Sequence, residues 1–324
     1  MKKLKLFGIF LVILSFTSCQ KSEDISSIDT SEPQFAGRQC VTMDVLQHQL
    51  QEDPSLQSRM DEIERNLETN QNLMKMGRLV NGVYEIPVVV NVLYRTTAEN
   101  VSLAQIQSQI DVLNEDYAGT NTDVALVPST FTAVRAGNCN VRFVLDQVIR
   151  KSTTKTSWRT DNSMKLASKG GIAATSPTTK LNVWVCTLSG GVLGYAQFPG
   201  GSSTTDGVVI TGTAFGRTGT AAAPFNKGRT GTHEVGHWLN LRHIWGDATC
   251  GSDLVTDTPT HNTANYGCPA AGHLSTCTGT PVEMTMNYMD YTDDACMYMF
   301  SAGQKSRMLA TFATGGGRTT FAAP

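Results

Sequence analysis

His233-Glu234-Val235-Gly236-His237-Trp238-Leu239-Asn240-Leu241-Arg242-His243 is the stretch on which the reading of this chain turns. His233 and His237 are four residues apart, so on a helix they project from one face, one turn apart, as two imidazoles on a single ion require. Glu234 sits beside the first of them, where it can reach a water next to a metal without occupying the metal. His243 comes six residues after His237. On a continuing helix it would stand about 9 Å further along the axis and on another face. The helix must therefore stop and turn sharply. The residue at that turn needs positive φ, where Gly is best and Asn the usual substitute, and Asn240 stands there.

A helix with incidental histidines is the bland alternative, yet only 6 of 324 residues are His and half of them fall in this pattern. A structural metal site is the better rival. Such sites usually have four protein ligands and no spare base, whereas His233, His237 and His243 leave a position open beside Glu234. One catalytic Zn2+ is thus the expected cofactor. Zinc lowers the pKa of water towards neutrality and polarises a scissile carbonyl. Glu234 is placed to take the water's proton and pass it to the leaving amine.

The flanking sequence fits export. Met1-Lys2-Lys3-Leu4-Lys5 is a basic start, and Leu6 to Phe16 is apolar but shorter than the roughly 20 residues a spanning helix needs. Residues 1–18 read as a signal peptide. Phe16-Thr17-Ser18-Cys19 is similar to a lipobox, which makes Cys19 a candidate lipidation site and the only expected tie to a membrane, with ordinary signal-peptidase cleavage nearby as the alternative. Net charge is −2, with no basic block past the N-terminus, so nucleic acid is not an expected partner. Eight cysteines less Cys19 leave seven, an odd number in a compartment that favours disulfides.

Residues 19–78 read as a tether and a helical segment. Leu46, Leu50, Leu56, Met60, Ile63, Leu67 and Leu73 recur at helical spacing, and Pro54 divides the run into two helices. Residues 79–324 change texture. Val83 to Tyr94 is β-branched and apolar, as in a buried strand. Ser102-Leu103-Ala104-Gln105 reads as a capping box opening a helix with Ile106, Ile110 and Leu113 on one face. Strands are expected at 140–149, 181–186 and 207–210, a helix at 228–239, and a last helix begun by Ser301-x-x-Gln304.

With its third His six residues after the second, the motif resembles the metzincin clan of zinc peptidases. Within that clan the detail is similar to the pappalysin family, especially its short microbial members. The resemblance is carried by Gly231 to Leu239, Gly194-Tyr195-Ala196-Gln197-Phe198-Pro199-Gly200, Asp257-Thr258-Pro259 and Met289-Asp290-Tyr291-Thr292-Asp293-Asp294-Ala295-Cys296. Asn240 departs from the family's Gly. The resemblance implies an α+β catalytic domain of two subdomains. The upper, to about residue 240, holds a twisted mixed sheet and the active-site helix, and the lower holds a Met-containing turn and the C-terminal helix.

The resemblance also implies roles. Met289 would floor the site, and Tyr291 would ligate zinc or hydrogen-bond the tetrahedral intermediate. Cys250 would pair with Cys277 and Cys268 with Cys296, although four cysteines allow three connectivities. Cys139 and Cys186 either pair or remain buried thiols. Asp253 and Asp257 are candidate calcium ligands near where relatives bind that ion, against the alternative of a solvated acidic loop. Asp293 or Asp294 would supply the acid of a pocket for Arg or Lys.

Cys40 is a candidate switch. Its thiolate would fill the open zinc position, and cleavage near Lys75 or Arg78 would release it; a disulfide to Cys139 or Cys186 is the alternative. The expected activity is zinc-dependent hydrolysis of protein or peptide substrates, outside the cell or on its surface. The competing readings are a surface adhesion lipoprotein with an inert zinc site, and hydrolysis of a small amide or cell-wall peptide.

Overall fold

The computed structural model describes residues 37–70 and 83–322, so Cys19, Lys75 and Arg78 lie outside the described residues. Two helices come first, α1 (Thr42–Glu52) and α2 (Ser55–Asn70), broken at Pro54 as its missing N–H requires. Then come β1 (Tyr84–Tyr94), α3 (Leu103–Ala118), the short α4 (Ser129–Thr132), β2 (Val141–Ser152), β3 (Leu181–Cys186), β4 (Gly194–Ala196) and β5 (Val208–Thr211). The chain ends with α5 (Arg229–Trp238), a long stretch with little regular structure, and α6 (Ala302–Ala310).

The five strands form one sheet in the order β2-β1-β3-β5-β4. Its first four strands are parallel, and only the edge strand β4 runs antiparallel, against β5. Both faces are covered, which explains why the strands read as unbroken apolar runs. Val88, Val90 and Val92 of β1, Val183 and Val185 of β3, and Val208 and Ile210 of β5 face the main core with α3 and α5. Leu93, Trp184, Cys186 and Val209 face the other side, with Trp158, Met164 and Tyr195. Each fully buried Val or Leu here stabilises the fold by roughly 1.5–3 kcal/mol.

Helix α3 is capped by Ser102, whose side chain accepts from the Gln105 N–H, but the expected box is only half formed. The Gln105 amide turns instead to the carbonyls of Gly212 and Phe215, pinning the loop that leads to α5. At α6 the full box forms between Ser301 and Gln304.

The irregular stretch after α5 is stapled by two disulfides, Cys250–Cys277 and Cys268–Cys296, with Cα atoms 5.7 and 5.6 Å apart. Closing loops of 27 and 28 residues stabilises by roughly 3–4 kcal/mol each. Cys139 and Cys186 are free and buried in cores on opposite faces of the sheet, so they do not pair.

Candidate active site

Helix α5 delivers His233, Glu234 and His237, all buried. It ends at Trp238, and Asn240 takes φ 69°, the left-handed conformation that turns the chain back. Two hydrogen bonds close the turn, from Asn240 N–H to His237 O at 2.9 Å and from Leu241 N–H to Gly236 O at 2.9 Å. The reversal brings His243 home. Its Nε2 lies 3.0 Å from that of His237, which lies 3.2 Å from that of His233.

Each imidazole is oriented through its other nitrogen. His233 Nδ1 donates to Tyr288 O at 2.7 Å and His237 Nδ1 to Leu241 O at 2.8 Å, because a carbonyl can only accept. His243 Nδ1 meets the Asp247 carboxylate at 2.5 Å, and its ring stacks on Trp245 at 4.4 Å. Three Nε2 lone pairs therefore converge with no proton between them. Burial, and then the neighbouring imidazoles, push the pKa values of His233 and His237 well down, which keeps these rings neutral. Oriented neutral imidazoles with acceptors behind them are the donor set a zinc ion takes. The residues fit that ion.

Two glycines allow this packing. A Cβ at Gly236 would lie 2.5 Å from Met289 Sδ, so the methionine packs directly against the helix between His233 and His237. A Cβ at Gly194 would lie 2.9 Å from Glu234 Cγ and Oε1, so β4 and the glutamate touch backbone to side chain. Met289 is fully buried, and its carbonyl accepts from Ile244 N–H at 3.1 Å, tying the turn to the residue after His243. Asp116 of α3 joins the same parts from behind. It accepts from Arg229 and Thr232 of α5 and from the Tyr288 hydroxyl.

The N-terminal segment fills the centre. Cys40 Sγ and one ring nitrogen from each of His233, His237 and His243 lie within 4.8 Å of one another. The Cys40 thiol donates to Glu234 Oε2 at 3.4 Å, and the Thr42 hydroxyl donates to the same oxygen at 3.2 Å. The other oxygen, Oε1, is buried without a partner. Burial pushes the Glu234 carboxyl up to about 8 against these hydrogen bonds. The Tyr291 hydroxyl donates to Cys40 O at 2.6 Å, and its ring lies 4.9 Å from that of His243.

Arg38, two residues earlier, enters a buried pocket. Its Nη2 is 2.6 Å from Asp294 Oδ1, Nη1 donates to Thr230 Oγ1 at 3.0 Å, and Nε donates to Thr292 O at 3.3 Å. Backbone N–H groups of Lys227 and Arg229 hold the other Asp294 oxygen at 2.8 and 3.2 Å. Of the two candidate pocket acids, Asp294 is buried in the pocket. Asp293 is only half-buried and bonds through its main chain to Gly267 and Cys296.

Asp253 and Asp257 bond to different partners. Asp253 accepts from the Thr258 hydroxyl and Val255 N–H, and burial pushes it up to about 6. Asp257 accepts from Ser301 Oγ and Gly303 N–H at the start of α6. Arg38, Trp245 and Asp247 had no assigned part in the sequence reading. Only Asp247 carried a local signal, as an acid one helical turn past a metal-type His.

Similarity to known proteins follows the same lines. A family model described as pregnancy-associated plasma protein-A matches residues 174–313. An extracellular metalloprotease of Pyricularia oryzae is 36% identical over 229 residues, covering 67% of this chain and 70% of that protein. Mature mirolysin of Tannerella forsythia, solved with a cleaved peptide, is 45% identical with a TM-score of 0.72, covering 74% of this chain and 96% of that one. A promirolysin mutant of the same organism is 40% identical with a TM-score of 0.77, covering 88% of this chain and 97% of that one.

Proposed function

Because this chain belongs to the pappalysin family of metzincin zinc metalloendopeptidases, we propose that it is an exported endopeptidase made as a zymogen that its own residues 37–70 hold silent. The observation that carries the proposal is the position of Cys40, whose thiol faces both the three ligand imidazoles and Glu234. A thiolate there would complete a four-ligand set and would leave no place for water. The promirolysin neighbour covers a larger share of this chain than mature mirolysin does, which supports reading the extra N-terminal residues as a pro-segment.

His233, His237 and His243 would hold the zinc, which when bound would polarise the scissile carbonyl and acidify water. The chain supplies the rest. Glu234 takes a proton from water on Oε2 once Cys40 and Thr42 have withdrawn, and returns it to the leaving amine. A carboxyl raised by burial is well matched to both halves of that transfer. Tyr291, whose phenol is held protonated chiefly by burial, would donate to a substrate oxygen, as it now donates to Cys40 O. Edge strand β4 offers its backbone to an extended substrate, and it already bridges Cys40 in parallel. The Asp294 pocket selects Arg or Lys, with Arg38 as its stand-in.

Cleavage near Lys75 or Arg78 would free the segment, Cys19 would carry a lipid, and Asp253 and Asp257 would take part in calcium binding. Export agrees with the extracellular relatives. The test is hydrolysis of denatured protein by the processed chain. It should stop with a chelator, return with zinc, and be missing in Glu234→Ala. Zinc binding without hydrolysis would favour the adhesion reading instead.

A further inference from the structure

Asn240 makes the turn that returns His243, and its side chain has a partner. Asn240 Nδ2 donates to Glu64 Oε1 of α2 at 3.1 Å, and Arg307 Nη2 of α6 bonds the same oxygen. Arg307 is fixed for this contact, because its Nε donates to Asn240 O at 2.7 Å and its side chain is only 3% exposed. Two donors from the catalytic domain thus converge on one carboxylate oxygen. Glu64 approaches from the solvent side, with its side chain 23% exposed. Apolar contacts flank the pair: Ile63 and Leu67 of α2 pack with Ala310 of α6.

We infer that Arg307 and Asn240 form an acidic-side-chain subsite outside the catalytic centre, which takes a surface helix of a protein substrate once α2 has left. The inference rests on the zymogen reading and deepens it. The segment places an arginine in the Asp294 pocket and a thiol before the metal ligands, each a ligand of the group it meets. Glu64 meets Arg307 and Asn240 in the same way. Among the described residues Arg307 has no second carboxylate bonded to it. With α2 gone, Arg307 loses the one carboxylate bonded to it among the described residues, while Asp253 still feels its charge from further off, so its guanidinium and the Asn240 amide are left as two free donors for another acidic side chain. The apolar neighbours specify the rest of the ligand: an amphipathic helix with an acid preceded by one apolar residue and followed by another three positions on, as in Ile63-Glu64-x-x-Leu67.

The test uses the zinc-loaded Glu234→Gln chain, processed in trans by the wild type so that the probe is not cut. A fluorescent peptide of sequence 55–70 is titrated against it by anisotropy, beside the same peptide carrying Glu64→Gln. The expected result is saturable binding that weakens about tenfold or more with Gln and survives an excess of a short arginine peptide filling the cleft. Equal affinity of the two peptides, no binding, or displacement by the short peptide would overturn the inference. Hydrolysis of that short peptide by processed wild-type enzyme is read separately. Its absence would sink the peptidase reading rather than the subsite.

Discussion

Asp294 holds the guanidinium of Arg38 at 2.6 Å, with both side chains 1% exposed, two residues along the chain from the thiol that faces the ligand imidazoles. Two backbone N–H groups grip the other oxygen of this buried carboxylate, which leaves the first facing the cation. Asp294→Asn in the processed enzyme should therefore lower kcat/KM for arginine peptides by about 10²-fold or more, with little change for apolar ones. A peptide library read by mass spectrometry checks this. An unchanged preference would remove Asp294 from the pocket.

Glu234→Gln should keep the ligand geometry while removing the base. Turnover should fall by about 10²–10⁴-fold, with zinc content unchanged. Parallel assays of hydrolysis and metal content separate this from simple unfolding.

Cys40→Ala should leave the full chain partly active before any cleavage, because water can then reach the position the thiol holds. Arg38 and Glu64 still anchor the segment in that variant, so activity should rise further on processing. An unprocessed wild type as active as the processed enzyme would defeat the zymogen reading.

Gly236→Ala should damage the site from beneath. Its Cβ would meet Met289 Sδ at 2.5 Å, and overpacking of this kind costs about 1–3 kcal/mol. Thermal melting should show the loss, and a smaller side chain at position 289 should restore part of it.

Lys165 gives the fold a pH signature. Its amine is buried, donates to Thr205 O at 2.7 Å and is pushed down to about 7 by burial, against the opposing charge of Asp206. Between that value and its ordinary pKa near 10.5 the unfolded chain binds a proton that the folded chain does not. Stability should therefore rise with pH across this window, by up to roughly 1.4 kcal/mol per pH unit, and the burial penalty is full below pH 7. Lys165→Met should flatten the slope. Denaturant melts at pH 6, 7, 8 and 9 give the comparison, and identical slopes would contradict it.

The gathering of His233, His237 and His243 was legible because spacing on a helix is rigid geometry, and the valine-rich strands were legible because a doubly covered sheet admits little else. Asn240 was readable from the need for a left-handed turn, although its second use as a partner of Glu64 was not. Arg38 and Asp294 are 256 residues apart, and no local pattern links such a pair. Gln105 shows the same limit: its sequence spacing satisfied a capping box, but a carbonyl-rich loop more than a hundred residues away took the amide.

The central claim is that one zinc ion in the unprocessed chain is held by three imidazoles and the Cys40 sulfur. X-ray absorption at the zinc edge of full-length protein tests it most directly. The account predicts one tightly bound zinc per chain, with about three nitrogen neighbours near 2.0 Å and one sulfur near 2.3 Å, the sulfur vanishing on processing. A folded chain without stoichiometric zinc, or a zinc shell with no sulfur before processing, would contradict it.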